Sequence, residues 1–245
     1  MRAVYSISVS LFLVLLCLAL PLHADPIDII GSGGWQTTNS GQIGGSGGLY
    51  FDNPSGDPPG LDLNLAEYLF SEGYLSFNAF YWGDASGGFD SSMLFNVPSG
   101  SITLTILTEI ASQKNNNVFG WFELSGGIPV LHPLFLGPDG AGATVQFAPT
   151  SPFGFYLSSQ GDTFYSVASL STSDTGFQHF AVMTGNPGSS TFYLGVEDSI
   201  STASDRDFND FVVKVTVPEP ATLVLLLVAL ATVSFGTRRS WARNT

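Results

Sequence analysis

The sequence predicts an all-β protein: an antiparallel β-sandwich of jelly-roll type, flanked by an N-terminal signal peptide and a C-terminal single transmembrane helix. Three observations carry that expectation. From Leu49 to Thr216, short apolar, β-branched or aromatic runs alternate with Gly, Pro, Asn, Asp and Ser, and such runs at short, regular spacing mark antiparallel strands. Aromatic residues make up 13 % of the chain, which argues against disorder, since disordered chains are poor in them. No internal repeat at a period of about 20–50 residues stands out, which disfavours a solenoid or propeller.

The segments follow in order. Residues 1–24, MRAVYSISVSLFLVLLCLALPLHA, have a basic start at Arg2, an apolar run from Leu11 to Leu20 and the small Ala24 before a cut. That is the build of a secretory signal peptide. The run is too short to span a bilayer comfortably, which takes about 17–25 residues. Cys17 raises the lipoprotein question, but Leu16 stands before it where a small residue is expected. With the signal peptide removed no cysteine remains, so disulfides, a cysteine nucleophile and a thiolate metal site are excluded. Residues 25–48 read as a Gly/Ser-rich entry segment, with GSGGWQTTNSGQIGGSGG (31–48) turn-rich rather than part of a core.

The sandwich is expected over 49–216. LNLAEYLFSE (63–72) fits one short helix, with Leu65, Leu69 and Phe70 on one face. SITLTILTEI (101–110) alternates with period two. NVFGWFEL, ATVQFAP, FGFYLSS, TFYSVASL, FQHFAVMTG, TFYLGVED and DFVVKVTV then follow as strands, each bounded by turn residues.

Charge narrows the partners. Between 25 and 217 only Lys114, Arg206 and Lys214 face 19 carboxylates, a formal charge of −16. Such a surface repels nucleic-acid phosphates and anionic polymers and attracts divalent cations. No nucleic-acid partner is expected.

The densest chemistry lies in YLGVEDSISTASDRDFNDFVVKV. Glu197 and Asp198 end one strand, and Asp205, Asp207, Asn209 and Asp210 begin the next. Ca2+ takes about six to eight oxygen ligands, and the every-second-residue spacing of Asp205, Asp207 and Asn209 lets one loop aim three side chains at a point. It is not an EF-hand, because Asp210 stands at the glycine position and Thr216 at the final glutamate position. The competing reading is an Asx-rich turn whose side chains bond their own backbone, with Arg206 pairing a neighbouring carboxylate.

Catalytic signals are weak. GGSGG (44–48) formally fits a nucleophile elbow but lacks the strand before it and the helix after it. His132 precedes Pro133 in an expected loop, and His179 sits within FQHFAVM; both read as structural or surface histidines. Trp82, Trp121, Tyr156 and Phe164 would suit a sugar-stacking platform, yet they fit core positions better. Ice binding needs a flat, repeated threonine array, and Thr103 and Thr105 are an isolated pair.

EDSISTASDRDFNDFVVKV resembles the C-terminal signature of an uncharacterised bacterial secreted domain (domain of unknown function 4114): Glu-Asp, a short loop, Asp-x-Asp-[FY]-Asn-Asp and an apolar strand. The resemblance is specific over 190–216 and extends back to about residue 120. It implies a β-rich extracellular module and assigns no reaction.

The C-terminus, 217–245, supplies an address. Ala221 to Gly236 are 16 uncharged residues, about 24 Å as a helix against a hydrocarbon core of about 30 Å. Arg238, Arg239 and Arg243 mark its cytoplasmic side. Pro218 and Pro220 keep the preceding backbone extended. A permanent single-pass anchor satisfies the same physics. VPEP, an apolar helix and Arg-Arg together resemble the PEP-CTERM sorting signal of Gram-negative bacteria that make exopolysaccharide, also labelled an ice-binding protein C-terminal domain. That resemblance implies Pro218, Glu219 and Pro220 as the recognition site of an exosortase-type membrane enzyme. Tail removal and release or attachment at the surface would follow, after a transient stay in the inner membrane.

The reading is a non-enzymatic, exported protein of the cell surface or extracellular matrix, stabilised by Ca2+ and associated with extracellular polysaccharide. A carbohydrate-binding or adhesive module and a secreted glycoside hydrolase using a carboxylate pair are the alternatives.

Overall fold

The computed structural model describes residues 28–38, 63–76, 78–98, 100–110 and 115–217. The signal peptide, GGSGG, the PEP motif Pro218–Pro220, the segment 221–236 and Arg238 and Arg239 lie outside these residues. Among the described residues no helix is long and apolar enough to cross a membrane.

In chain order the elements are β1 (Ile29–Ile30), β2 (Gly34–Thr37), α1 (Leu65–Ser71), β3 (Phe80–Gly83), β4 (Leu94–Phe95), β5 (Ile102–Glu109), β6 (Val118–Ser125) and β7 (Ile128–Leu136). They continue with β8 (Thr144–Phe147), β9 (Phe153–Ser159), β10 (Asp162–Tyr165), β11 (Phe180–Thr184), β12 (Thr191–Val196) and β13 (Phe211–Thr216). One sheet runs β1-β4-β9-β6-β7, with β10 also paired to β9. The other runs β2-β3-β11-β12-β13-β5-β8. Every pairing is antiparallel.

Period-two alternation makes the shared core. Ile102, Leu104 and Ile106 of β5 are buried while Thr103 and Thr105 are half-exposed. They meet Phe119, Phe153, Phe155, Phe192 and Val213 in one apolar cluster drawn from both sheets. Phe95 lies at its centre, 5.6 Å from Phe153, 5.1 Å from Phe155 and 5.4 Å from Phe192, centroid to centroid. Offset and edge-to-face arrangements at such spacings are the favoured aromatic geometries.

The expected helix forms over Leu65–Ser71. Asn64 and Glu67 make a reciprocal capping box. At the other end Gly73 has φ +75°, Gly73 N–H donates to the Phe70 carbonyl and Tyr74 N–H to the Leu69 carbonyl. This left-handed stop is one that glycine adopts without Cβ strain. Leu65, Ala66 and Leu69 bury against Ala181, Met183 and Val212, covering part of the outer face of the seven-stranded sheet.

Two parts differ from the sequence expectation. The glycine-rich entry segment carries two strands: β1 pairs β4, β2 pairs β3, and Trp35 packs edge-on to Trp82 at 5.4 Å. His132, expected in a loop, lies in β7. That strand follows β6 through Gly126 and Gly127, whose φ of +61° and +85° fit the two-residue turn matching strand twist. Pro129 and Pro133 obscured β7 in the sequence, but proline is tolerated on an edge strand where its missing N–H faces outward. Ser125 and Ile128 close the turn as a hydrogen-bonded pair, so alternate positions 129, 131 and 133 face the open edge.

Candidate metal centre

The acidic loop is built on β12. Glu197 N–H donates to the His179 carbonyl at 2.9 Å, prolonging the β11–β12 ladder one step. The chain turns at 200–204 and returns through Asp205–Asp210 into β13. Arg206 and Phe208 hold φ of +66° and +58°, so the return coils instead of running extended. Phe208 is buried beside Leu65. Gly195 makes this possible, because a Cβ there would meet the Phe208 carbonyl oxygen at 2.3 Å. The loop is also tied to the start of α1. Leu65 N–H donates to the Asp207 carbonyl at 2.8 Å, and Asn209 Nδ2 to the Leu63 carbonyl at 2.6 Å.

Three of the six sequence-predicted ligands share one point. Carboxylate oxygens of Glu197, Asp205 and Asp207 lie within 4.8 Å of one another. Glu197 and Asp207 are buried while Asp205 is half-exposed and forms the mouth. Asn209 donates from Nδ2 to Asp207 Oδ2 at 2.5 Å. Asp198 and Asp210 bond to each other: Asp198 N–H donates to Asp210 Oδ2 at 3.0 Å. Asn117 Nδ2 donates to Glu109 Oε1 at 3.2 Å and Asp198 Oδ2 at 3.4 Å, while its buried Oδ1 has no hydrogen-bond partner. Asn117, Glu109 and Ser204, whose hydroxyl donates to Glu197 Oε2, escaped the sequence reading.

The electrostatics favour a cation. Burial pushes the Glu197 carboxyl well up, against hydrogen bonds from Ser204 and the Phe208 N–H, and Asp205 adds to the rise. Burial, then the Asp198 and Glu197 charges, push Asp210 up further. Among the described residues no lysine or arginine forms an ion pair with Glu197, Asp198 or Asp210. Arg206, expected to pair with a carboxylate, instead sits over the Phe177 ring at 5.3 Å. A buried carboxylate takes up a proton or binds a cation rather than stay ionised alone. The donor set, all hard oxygen, fits Ca2+.

The histidines do not present a catalytic arrangement. His179 has no exposed surface. It stacks on Phe164 at 3.8 Å, and its Nε2 lies 3.2 Å from Asp174 Oδ2. Asp174 in turn accepts from the Ser201 hydroxyl at 2.7 Å, so the serine lies on the carboxylate and not on the imidazole. His132 stacks on Trp121 at 4.0 Å, 3.6 Å from Glu123. Burial drops the His179 pKa to about 4, despite the nearby Asp174. Only the unfolded state binds that proton between pH ~6.5 and ~4, so stability falls as pH drops through this window by about 3 kcal/mol. Denaturant titrations in saturating calcium should show that loss, and His179→Gln should flatten it; equal slopes in both proteins would refute the assignment.

Trp82, Trp121, Tyr156 and Phe164 are 8 %, 9 %, 2 % and 1 % exposed. They are core residues and form no sugar platform. A cavity of about 820 Å3 opens at one end of the sandwich, lined by Trp35, Trp82, Phe95 and Phe192 and by Val217, which immediately precedes the PEP motif.

Residues 136–218 match the model of a family described as Domain of unknown function (DUF4114). The match takes in β8 to β13 and the whole acidic loop. No curated protein and no solved structure matches the chain.

Proposed function

We propose that this chain is an exported, non-enzymatic protein of the cell surface or extracellular matrix. In this reading its sandwich is stabilised by Ca2+ at the acidic loop and its tail is a PEP-CTERM sorting signal. The observation that carries the reading is the convergence of Glu197, Asp205 and Asp207 in a domain with so few cations. Asn209 donates to Asp207, and the charges of Asp198, Glu197 and Asp207 act on Asp210. Ca2+ at moderate affinity is a metal of extracellular modules, and a cysteine-free exported domain has no disulfide to stiffen its loops. The burial of both described histidines' partners inside ring stacks supports the non-enzymatic reading.

For sorting, the support is the ordered triple of Pro218-Glu219-Pro220, the apolar segment 221–236 and Arg238-Arg239. The exosortase-type enzyme would grip the extended PEP stretch. The signal peptide at 1–24 would send the domain outward first. Intact mass of protein from the native envelope and medium tests this against a Pro218→Ala, Glu219→Ala variant. The wild type should lose the segment after the PEP motif and the variant should keep it. A full-length C-terminus in both makes the tail a permanent anchor and removes sorting from the reading.

A further inference from the structure

Helix α1 covers only part of the outer face of the seven-stranded sheet, over β11, β12 and one end of β13. The rest of that face, across β8, β5 and β13, has a regular composition. Register sets Gln146, Thr103, Thr216 and Thr191 abreast in one row. Thr144, Thr105, Lys214 and Tyr193 stand abreast in the next. With strands about 4.8 Å apart and outward residues about 6.8 Å apart along each strand, the two rows pave a strip about 15 Å long. Thr105 and Thr144 hydroxyls hydrogen-bond at 3.1 Å, and Gln146 Nε2 donates to the Thr103 hydroxyl at 3.3 Å. Thr144 and Gln146 are exposed, and Thr103, Thr105, Thr191, Lys214 and Thr216 are half-exposed. The pair that looked isolated in the sequence is thus the middle of a hydroxyl- and amide-lined floor.

Charge marks this floor out. None of its eight positions is a carboxylate, although the domain carries 19. Lys214, the one lysine among the described residues, stands near its middle. At one end Tyr193 meets Tyr74 at 5.8 Å, and Tyr74, in the turn after α1, is 38 % exposed. The floor meets an aromatic wall where the helix cover ends. A protein interface core is apolar, whereas these rows offer hydroxyls, an amide and one ammonium. We propose that this face binds an acidic polysaccharide strand. Sugar hydroxyls bond the threonine and Gln146 side chains, a uronate carboxylate meets Lys214, and a ring face stacks on Tyr74. The domain's carboxylates, Glu72 beside the tyrosine wall among them, repel such a strand, and that repulsion fades beyond the Debye length of about 8 Å at physiological ionic strength, so the contact at Lys214 decides binding. The proposal names the partner of the surface protein inferred above, yet it is independent of tail processing and of the acidic loop.

Affinity electrophoresis tests it. The full chain, held in non-ionic detergent, is run at physiological ionic strength in native gels cast with alginate, with hydroxyethylcellulose or with no polymer. Alginate should retard the wild type. Lys214→Glu should weaken that retardation roughly tenfold, the loss of one charge-assisted contact. Tyr74→Ala should weaken it less, and both variants should melt like the wild type, since neither side chain is in the core. Unchanged mobility in alginate overturns the proposal, as does undiminished retardation of Lys214→Glu. Retardation by the neutral glucan alone overturns the acidic assignment. Retardation abolished by EGTA but not by Lys214→Glu would move binding to the calcium loop. Thermal hysteresis without retardation would assign the floor to ice instead. Failure of this test leaves the mass measurement on the tail untouched, so the two readings fall separately.

Discussion

Chelation with EGTA is expected to lower the melting temperature of the calcium-loaded chain by roughly 5–10 °C. A ligand at about a hundredfold its Kd contributes about 2.7 kcal/mol, and each kcal/mol moves a domain of this size by about 2–4 °C. The physical source is the carboxylate group around Glu197. Without a cation, ionising those buried groups opposes folding; with one, the same charges become ligands. Asp207→Ala should melt at one temperature with or without calcium, because it removes a buried oxygen ligand while leaving the Leu65 N–H its backbone acceptor. A wild-type melt indifferent to both calcium and EGTA would sink the metal reading and leave an Asx-rich turn.

Phe95→Ala is expected to cost more than any surface change. Its ring touches Phe153 and Phe155 from its own sheet and Phe192 from the facing one. The rings around it are held in further contacts, since Phe119 stacks in turn on Phe155 and Phe211. Phe→Ala in a packed core costs about 3–5 kcal/mol, equivalent to a drop of roughly 10 °C. Urea unfolding in calcium buffer measures it directly. A loss below about 1 kcal/mol would mean that the two sheets are not packed through this ring.

The strands from β5 onward, β7 excepted, were legible because their apolar residues alternate and their ends carry turn residues. The helix was legible too: Asn64, Glu67, Leu65, Leu69 and Gly73 each obey a local rule. The short strands were not. β1 and β4 are two residues each and pair across the chain, Ile29 with Phe95, so no local window contains the signal. β7 hid behind Pro129 and Pro133, and β2 behind its glycines. The same divide runs through the candidate metal centre. Glu197, Asp205 and Asp207 are near neighbours in sequence and were found, whereas Glu109 arrives from the end of β5 and Asn117 from the residue before β6. The coil that joins the ligands depends on left-handed Arg206 and Phe208, residue types that do not advertise such a backbone.

The prolines of β7 have a further meaning for a protein that would act crowded among copies of itself. An open sheet edge is a template on which another chain can grow, through its row of free N–H donors. In β7 two of the three donors facing outward in its first six residues are deleted by Pro129 and Pro133, leaving only that of Leu131. Exposed Ile128, Val130 and Leu131 would otherwise make this strand a site for cross-β growth. The sequence feature that disguised the strand is therefore what keeps its edge from recruiting neighbours, and it lets a greasy hairpin face water without seeding fibrils.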